Sequence, residues 1–228
     1  MRRKILGTLT IGQAPRPDVT PIIDQYVPAE VRRIHRGVLD GLCDAEIDAG
    51  FIAGPGEPAL VTRLKNGRVV ELSRRRMREG VQDTLAALET DGCDVILLLC
   101  TGTFEGLECR RAWLVEPDHV IPGMVAGLIE PRRLGVVVPI ASQIGSESGK
   151  WRSLRPPPIF ASASPYGADT EAELRRAGTE LKARGAEAIL LDCIGFTERH
   201  RVVLEPVGIP VILSNAAIAK AVSELFGG

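Results

Sequence analysis

The segment Val95-Ile96-Leu97-Leu98-Leu99-Cys100 is apolar at every position and runs directly into Thr101-Gly102. A short apolar run that ends near a glycine is typical of a β-strand covered on both faces, as in a parallel sheet. A second run, Ala188-Ile189-Leu190-Leu191, leads in a similar way to Asp192-Cys193. Amphipathic stretches of helical length separate such runs, so we predict a parallel α/β protein.

The strand pattern occurs seven times and is duplicated along the chain. The predicted strands are residues 4–11, 31–38, 95–100, 134–138, 159–161, 188–193 and 211–213. The order of strands and cysteines from residue 134 onward repeats the order before it, which predicts two copies of one βα unit. We expect two similar parallel-sheet half-domains facing each other across a cleft. Residues 1–116 plus 211–228 are predicted to form the N-terminal half-domain, and residues 117–210 the C-terminal one.

Helical and hairpin patterns fill the segments between the strands. The predicted helices are residues 17–26, 44–49, 73–91, 104–113, 122–130, 141–154, 169–184, 197–205 and 215–226. The segment from Leu60 to Leu72 differs, because alternating residues flank Asn66-Gly67 and predict a β-hairpin with a type I′ turn. We interpret this hairpin as an insertion in the first half-domain.

Composition indicates an ordinary globular protein. The chain has 228 residues, a formal net charge of -1 and 45% hydrophobic residues. Basic residues are dispersed apart from Arg74-Arg75-Arg76, so no nucleic-acid partner is predicted. No apolar run approaches the ~20 residues needed to cross a bilayer. The basic N-terminal residues are followed by Gly12 and Pro15 before an apolar signal-peptide core could form. We therefore expect a cytoplasmic protein with no membrane partner.

Motifs for common cofactors are missing from the sequence. The five cysteines form no CxxC pair, which disfavours a disulfide framework and a zinc site. P-loop, EF-hand, HExxH and GxGxxG motifs do not occur either. We therefore predict no metal and no cofactor.

Two cysteines are the principal candidates for chemistry. Cys100 and Cys193 each end a predicted strand, at the sheet edge where α/β proteins bind ligands. Each also precedes a predicted helix, whose N-terminus favours the thiolate, so one thiol is expected to titrate below ~8.5. The alternative is that both thiols only pack, because cysteine is often fully buried. Cys43, Cys93 and Cys109 are expected to be structural.

Loops at the same edge supply further candidates. The predicted substrate-binding residues are Thr10, Gly12, Gln13, Arg16, Thr101, Gly102, Thr103, Gly195, Ser214 and Asn215. Arg16 and the backbone N–H groups of the first loop suit a carboxylate or phosphate. The alternative is an ordinary turn before a helix that starts with proline. Asn215 suits either an N-cap of the last helix or a ligand contact.

Two helical residues are auxiliary candidates. Arg74 starts a basic cluster at a helix N-terminus, where the dipole disfavours positive charge, so an anionic ligand is one explanation. A solvated basic face is the other. His200 lies seven residues after Cys193 and suits either proton transfer or a surface helix turn.

Several motifs together resemble one known family. They are residues 9–18 (Leu-Thr-Ile-Gly-Gln-Ala-Pro-Arg-Pro-Asp), 73–75 (Ser-Arg-Arg), 94–99 (Asp-Val-Ile-Leu-Leu-Leu), 191–201 (Leu-Asp-Cys-Ile-Gly-Phe-Thr-Glu-Arg-His-Arg) and 213–215 (Leu-Ser-Asn). In this order they resemble the AroM family almost from end to end. The family name associates such proteins with genes of aromatic biosynthesis.

A more remote resemblance implies a mechanism. Two α/β halves that each carry a cysteine after a buried strand are similar to the aspartate/glutamate/hydantoin racemase superfamily, which works without a cofactor. The resemblance implies that one thiolate removes an α-proton and the other thiol returns one from the opposite face. The two sulfurs should then lie roughly 7–8 Å apart.

This chain departs from the superfamily pattern at both thiols. It has Cys100-Thr101-Gly102 and Asp192-Cys193-Ile194, where those racemases have Cys-Asn-Thr and Gly-Cys-Thr. The amide that helps to hold a substrate carboxylate is therefore missing beside Cys100. Cys193 is the stronger candidate of the two.

Three functions are consistent with these features. The first is a racemase or isomerase of a small carboxylate, with Cys193 and Cys100 as acid and base. The second is a decarboxylase or isomerase that uses Cys193 alone, as the arylmalonate decarboxylase and maleate isomerase relatives imply. The third is a non-enzymatic protein that binds or senses a small anion, linked to aromatic biosynthesis. In each case the binding partner is a small carboxylate or other small anion. The sequence is also compatible with a homo-oligomer.

Overall fold

The computed structural model describes residues 4–227, which form two compact units. The first contains the described residues up to Pro117 together with those from Ala219 onward, and the second contains Asp118–Ile218. The second unit is thus one continuous segment, whereas the first is assembled from two.

The first unit is built on a parallel sheet with an added hairpin. Its strands are β1 (Ile5–Thr10), β2 (Arg32–Gly37), β3 (Ala59–Arg63), β4 (Val69–Ser73), β5 (Val95–Leu99) and β6 (Trp113–Val115). Four of them form a parallel sheet in the order β2-β1-β5-β6. All five side chains of β5 are buried, as expected for an inner strand of a parallel sheet.

Three helices accompany this sheet, namely α1 (Thr20–Tyr26), α2 (Asp44–Gly50) and α3 (Arg74–Thr90). Helix α3 buries Met77, Val81, Leu85 and Leu88, whose spacing of three to four residues forms one apolar stripe. Ser73 caps α3, because its Oγ accepts a hydrogen bond from the backbone N–H of Arg76 (3.3 Å).

The hairpin is confirmed, but the predicted type I′ turn is wrong. Strands β3 and β4 are antiparallel, and the N–H of Gly67 donates to the carbonyl of Leu64 (2.9 Å). Gly67 has φ of 89°, while no described non-glycine residue has a positive φ. A type I′ turn requires positive φ at Asn66 as well. The N–H of Leu64 instead donates to the carbonyl of Arg68 (2.8 Å), which makes a turn with a glycine bulge.

The second unit repeats the parallel sheet without a hairpin. Its strands are β7 (Leu134–Val138), β8 (Ile159–Ser162), β9 (Ala188–Leu191) and β10 (Val211–Leu213). Its helices are α4 (Pro117–Ile129), α5 (Gln143–Glu147), α6 (Thr170–Ala183), α7 (Glu198–Leu204) and the first part of α8 (Ser214–Ser223), with 3₁₀ turns at Ser148–Trp151 and Glu205–Val207. The end of α8 and a 3₁₀ turn at Glu224–Phe226 belong to the first unit. The strand order is β8-β7-β9-β10, all parallel.

The two sheets have one topology. Counted from the first strand of each parallel sheet, both follow the order second, first, third, fourth. Cys100 comes directly after the third strand of its sheet, and Cys193 comes two residues after the third strand of the other. The predicted α/β architecture with two similar parallel-sheet halves is confirmed. The cleft between the halves stays a prediction.

One predicted helix is wrong. Residues 104–113 form a loop that leads into β6, because side chains of α3 take the hydrogen bonds that a helix would make internally. The Glu89 carboxylate accepts from the backbone N–H groups of Arg110, Arg111 and Ala112. Gln82 both donates to the carbonyl and accepts from the N–H of Glu108. The backbone of this loop is therefore held by side chains of α3.

The chain returns to the first unit through α8. Strand β10 pairs with β9, so residues 211–218 belong with the second sheet, which differs from the boundary expected at residue 210. Beyond α8, the Lys4 ammonium donates to the carbonyl of Leu225 (2.6 Å). The Lys220 ammonium lies 5.0 Å from the centroid of the Tyr26 ring. Among the described residues, no helix combines the length and apolar character needed to cross a membrane.

Candidate functional site

The predicted site residues lie at the carboxyl edges of the two sheets. In the first unit, β1 and β5 are neighbours, so the Thr10–Gln13 and Cys100–Thr103 loops leave the same edge side by side. In the second unit, β9 and β10 are neighbours, which brings Cys193–Gly195 and Ser214–Asn215 together. Each unit therefore carries two of these four segments.

Cys193 lies in a tight turn after β9. The backbone N–H of Gly195 points at its sulfur, with 3.5 Å between N and Sγ. The N–H of Phe196 donates to the Cys193 carbonyl (3.2 Å), which closes the turn. The Cys193 side chain is buried, with 8% exposure. A backbone N–H directed at a sulfur favours its negatively charged form, which is the reactive one.

Tyr166 lies against this turn and was missed by the sequence analysis. A Cβ atom on Gly195 would clash with the hydroxyl oxygen and the ring of Tyr166. Only glycine therefore lets the phenol approach the backbone next to Cys193. A lone tyrosine between strands gave no pattern that could have identified it, since its proximity depends on the tertiary fold.

Asn215 and Ser214 hold the Cys193 turn from the adjacent strand end. The Asn215 amide donates to the carbonyls of Ile194 (3.0 Å) and Phe196. Ser214 Oγ donates to the carbonyl of Leu191 (2.9 Å). Both side chains are buried. The Asn215 amide is thus used on the turn itself, so its position supports a role in shaping the turn more than in binding a ligand.

A buried charged cluster includes Asp192, the residue before Cys193. The Lys150 ammonium lies 2.6 Å from Asp192 Oδ2 and 3.5 Å from Glu147 Oε2. Burial alone lowers the pKa of Lys150, but the charges of Asp192, Glu147 and Asp118 outweigh it and raise the pKa overall. The ammonium form is therefore favoured. Asp192 beside Cys193 was visible in the sequence, whereas Lys150 gave no signal.

His200 is buried and caps α7 instead of occupying a surface turn. Its Nδ1 accepts the backbone N–H of Thr197 (2.7 Å), and its ring packs edge-on against Phe196. Burial, followed by the charge of Arg199, lowers the pKa of His200 from its usual 6.5. The neutral form, which alone can accept this hydrogen bond, is therefore favoured in the folded protein.

Acidification should weaken this cap. Because the folded-state pKa lies below 6.5, the stabilisation is fully present above pH 6.5 and is lost as the pH falls through the folded-state value. We expect the thermal midpoint to drop by a few degrees over this range, the usual effect of losing a cap. Scanning calorimetry between pH 8 and pH 5 measures it.

The matched control is His200→Gln, since glutamine at this position keeps an acceptor for the cap without titrating. Its thermal midpoint should depend less on pH than that of the wild type. The pKa of His35 is also lowered, by burial first and by Arg33, and His35 titrates in both proteins. Identical pH profiles for wild type and variant would contradict the role of His200.

Cys100 has a different environment from Cys193. It is buried and belongs to the apolar core of the first unit, with Leu60 and Phe104. The residues after it form a loop, so the expected helix N-terminus next to this thiol is absent, a correction for Cys100. Gly102 allows the loop to pass closely over the core, because a Cβ there would clash with Leu60 and stand 3.5 Å from the Cys100 sulfur. Thr101 is buried and Thr103 is half-buried.

Arg16 is already engaged in the loop after β1. Its guanidinium makes two hydrogen bonds to the Asp18 carboxylate (2.8 and 2.6 Å) and one to Thr10 Oγ1 (3.4 Å). Burial opposes ionisation of Asp18, but Arg16 prevails and lowers the pKa of that carboxyl. Helix α1 begins at Thr20 instead of Pro17. The loop is therefore closer to the ordinary-turn interpretation than to a free arginine anion site.

Gln13 and Gly12 fasten the same loop to its neighbours. Gln13 Oε1 accepts the backbone N–H of Lys65 in the hairpin (3.0 Å). A Cβ on Gly12 would stand 2.6 Å from Thr62 Oγ1, so glycine is needed for this close packing of loop against hairpin.

Arg74 lines a cavity in the first unit. The cavity has a volume of about 730 Å³, and Arg75, Arg78, Thr103 and Phe104 also line it. It therefore connects the start of α3 with the loop that follows Cys100. Glu57 lies on its rim and approaches Arg75 Nε at 3.9 Å, so the basic cluster is partly neutralised there.

The three remaining cysteines are not among the predicted site residues. Burial, followed by nearby carboxylates, raises the pKa of Cys93 and of Cys109 to about 11, so both are poor thiolate formers. Cys43 is exposed and precedes α2 as its N-cap.

The family model described as AroM protein matches residues 6–226. No functionally curated protein sequence matches.

Solved structures of two racemases and a decarboxylase share the fold. Aspartate racemase from Picrophilus torridus superimposes with a TM-score of 0.62 at 16% identity, over 98% of this chain and 94% of that one. Allantoin racemase from Pseudomonas fluorescens gives 0.65 at 16% identity, over 98% and 90%. Unliganded arylmalonate decarboxylase gives 0.55 at 16% identity, over 99% and 93%. At these identities the likeness establishes the fold.

Proposed function

The chain belongs to the AroM family, and from this premise we propose that it is a cofactor-independent racemase or isomerase of a small carboxylate. In this proposal Cys193 and Cys100 serve as the acid–base pair, one as thiolate and the other as thiol. The observation that carries it is the Cys193 turn, where a backbone N–H points at a sulfur that lies just past the carboxyl end of β9. The reducing cytoplasm would keep both thiols available.

Topology supports Cys100 as the second group. Cys100 and Cys193 follow the third strand of sheets that share one strand order. The racemases and the decarboxylase with the same fold are consistent with chemistry at such strand ends, although a fold hosts many reactions.

The proposed reaction transfers one proton at each face of the substrate. The Cys193 thiolate removes the α-proton, and the electron pair of the C–H bond passes to the carbon and its carboxylate. The Cys100 thiol then donates its proton to the opposite face, so a thiol and a thiolate have exchanged places. The N–H of Gly195 stabilises the negative sulfur at Cys193.

A one-thiol reaction is the second candidate, because the two cysteines differ. Cys100 packs with Leu60 and Phe104 in the core, and the residues directly after it form a loop instead of a helix. In this alternative Cys193 alone donates or removes the proton, in an isomerisation or a decarboxylation.

The test is proton exchange at the α-carbon in deuterated water. The protein is incubated with amino, hydroxy and dicarboxylic acids, and deuterium at Cα is measured by NMR while chiral chromatography follows racemisation. We expect at least one acid to exchange. If none exchanges although small anions raise the thermal midpoint, the protein is a binding or sensing protein instead.

A further inference from the structure

Four ionisable groups are buried in one cluster that includes Asp192, the residue before Cys193, and stability alone does not explain them. Lys150, Asp192 and Glu147 have side chains no more than 8% exposed, and Asp118 is also buried. Buried ion pairs contribute little net stability compared with apolar residues of the same volume. Three carboxyl groups around one ammonium are less favourable still. A role in the nearby chemistry is the better explanation.

We infer that the Lys150–Asp192 ion pair is a positioning device for Cys193, holding the turn after β9 and balancing the charge beside its sulfur. The inference rests on the proposed function, since it assumes that the Cys193 thiolate does the chemistry. Lys150 and Asp192 act through Cys193 and are positioning residues in this account.

The backbone connection between the pair and the thiol is direct. Asp192 precedes Cys193, and its carboxylate is held by Lys150 (2.6 Å) on one side and lies 3.5 Å from Ser214 Oγ on the other. Its backbone N–H donates to the carbonyl of Val137 on β7 (2.9 Å). A residue fixed at three points fixes the direction in which the next residue leaves the strand.

The effect of the ion pair on the Cys193 thiolate has a definite direction. An unneutralised Asp192 carboxylate would oppose a second negative charge on the adjacent sulfur, and the Lys150 ammonium removes that opposition. The other charged or titratable groups near the pair and the turn are Glu147, Asp118, Tyr166 and His200. Glu147 and Asp118 face Lys150, Tyr166 lies against Gly195, and His200 is favoured in its neutral form.

The experiment measures Cys193 alkylation by iodoacetamide against pH, resolved by peptide mass spectrometry, in the full-length protein. Lys150→Met leaves a carboxylate beside the thiol and should move the midpoint of the profile up by about one pH unit. Asp192→Asn leaves the ammonium and should move it down by a similar amount, the order of magnitude expected for removing one unit charge near a thiol at an effective dielectric of about 20. The double variant should return towards the wild type.

Shifts of opposite sign with recovery in the double variant are the signature of charge balance, because a merely structural defect would move both single variants the same way. Shifts of one sign, or none, overturn the inference. Lys182→Met is the matched control, since Lys182 donates to the Val207 carbonyl (2.5 Å) near the end of α6, which leads into the start of β9. It should leave the profile unchanged.

If Lys150→Met does not fold, Glu147→Gln tests the same point, because removing a carboxylate from Lys150 should also move the midpoint down. Midpoints unmoved in both Asp192→Asn and Glu147→Gln overturn the inference. Alkylation needs no substrate, so this result is independent of the exchange assay. Opposite shifts in a protein that exchanges no acid would retain the charge balance and reject the racemase.

Discussion

Cys193→Ala should slow deuterium incorporation at the substrate α-carbon by about 10²- to 10⁴-fold, the usual contribution of a positioned acid or base. The physical reason is that the variant loses the group that takes the proton, while the backbone donor at Gly195 remains. Initial rates of exchange in deuterated water measure the effect. Circular dichroism and the thermal midpoint show whether the variant is folded.

Cys100→Ala separates the two mechanisms. A comparable loss of exchange supports two thiols, whereas retained exchange favours Cys193 acting alone. Cys93→Ala is the matched control, because Cys93 is buried to a similar degree but lies at the opposite end of β5, just before the strand. It should keep the wild-type rate. Equal rates in wild type and Cys193→Ala would reject thiol chemistry at this position altogether.

Asn215→Ala should lower the free energy of unfolding by about 2–4 kcal/mol, because two buried carbonyls lose their donor. These are the carbonyls of Ile194 and Phe196, on either side of Gly195 in the Cys193 turn. Urea unfolding followed by circular dichroism gives the change. Hydrogen exchange should also become faster in the peptide that contains Cys193, since the turn is then held less tightly.

The chain offers one other asparagine as a control, Asn66 in the hairpin. Asn66 is exposed, its Oδ1 accepts the N–H of Arg68 (3.0 Å), and its Nδ2 donates to the Asp44 carboxylate at the surface (3.2 and 3.0 Å). Asn66→Ala should cost no more than about 1 kcal/mol. Similar losses of unfolding free energy in the two variants would mean that Asn215 stabilises its turn no more than a surface asparagine stabilises the turn around it.

The hydrophobic pattern and composition of the sequence were sufficient to predict the parallel sheets. Val95–Leu99 and Leu134–Val138 are fully buried strands. Such strands are easily recognised in a sequence, because both of their faces must be apolar. Strand β6 escaped prediction, since three residues at a sheet edge carry almost no pattern. The helix predicted for residues 104–113 failed for a related reason. Glu89 and Gln82 take its backbone hydrogen bonds from another element, which no local pattern reveals.

The candidate site was predictable where it follows strand ends and unpredictable where it depends on packing. Cys193, Ser214 and Asn215 come at strand ends in the sequence, and the structure places them in one unit on adjacent strands. Lys150 and Tyr166 arrive from other parts of the chain, so only the folded protein brings them near Cys193. Arg16 looked free in the sequence, because its partner Asp18 is two residues away and the bidentate pairing depends on the local turn.

The division of the chain between the two units also bears on synthesis. Asp118–Ile218 is one uninterrupted segment, while the first unit includes residues on both sides of it. On the ribosome, the earlier part of the first unit emerges before the second unit has been made. The contacts of Lys220 with Tyr26 and of Lys4 with Leu225 can form only after the second unit has been synthesised. Domains generally fold as units during translation. The second unit can therefore complete its fold first, and the first unit gains its last contacts only when the residues from Ala219 onward have been made.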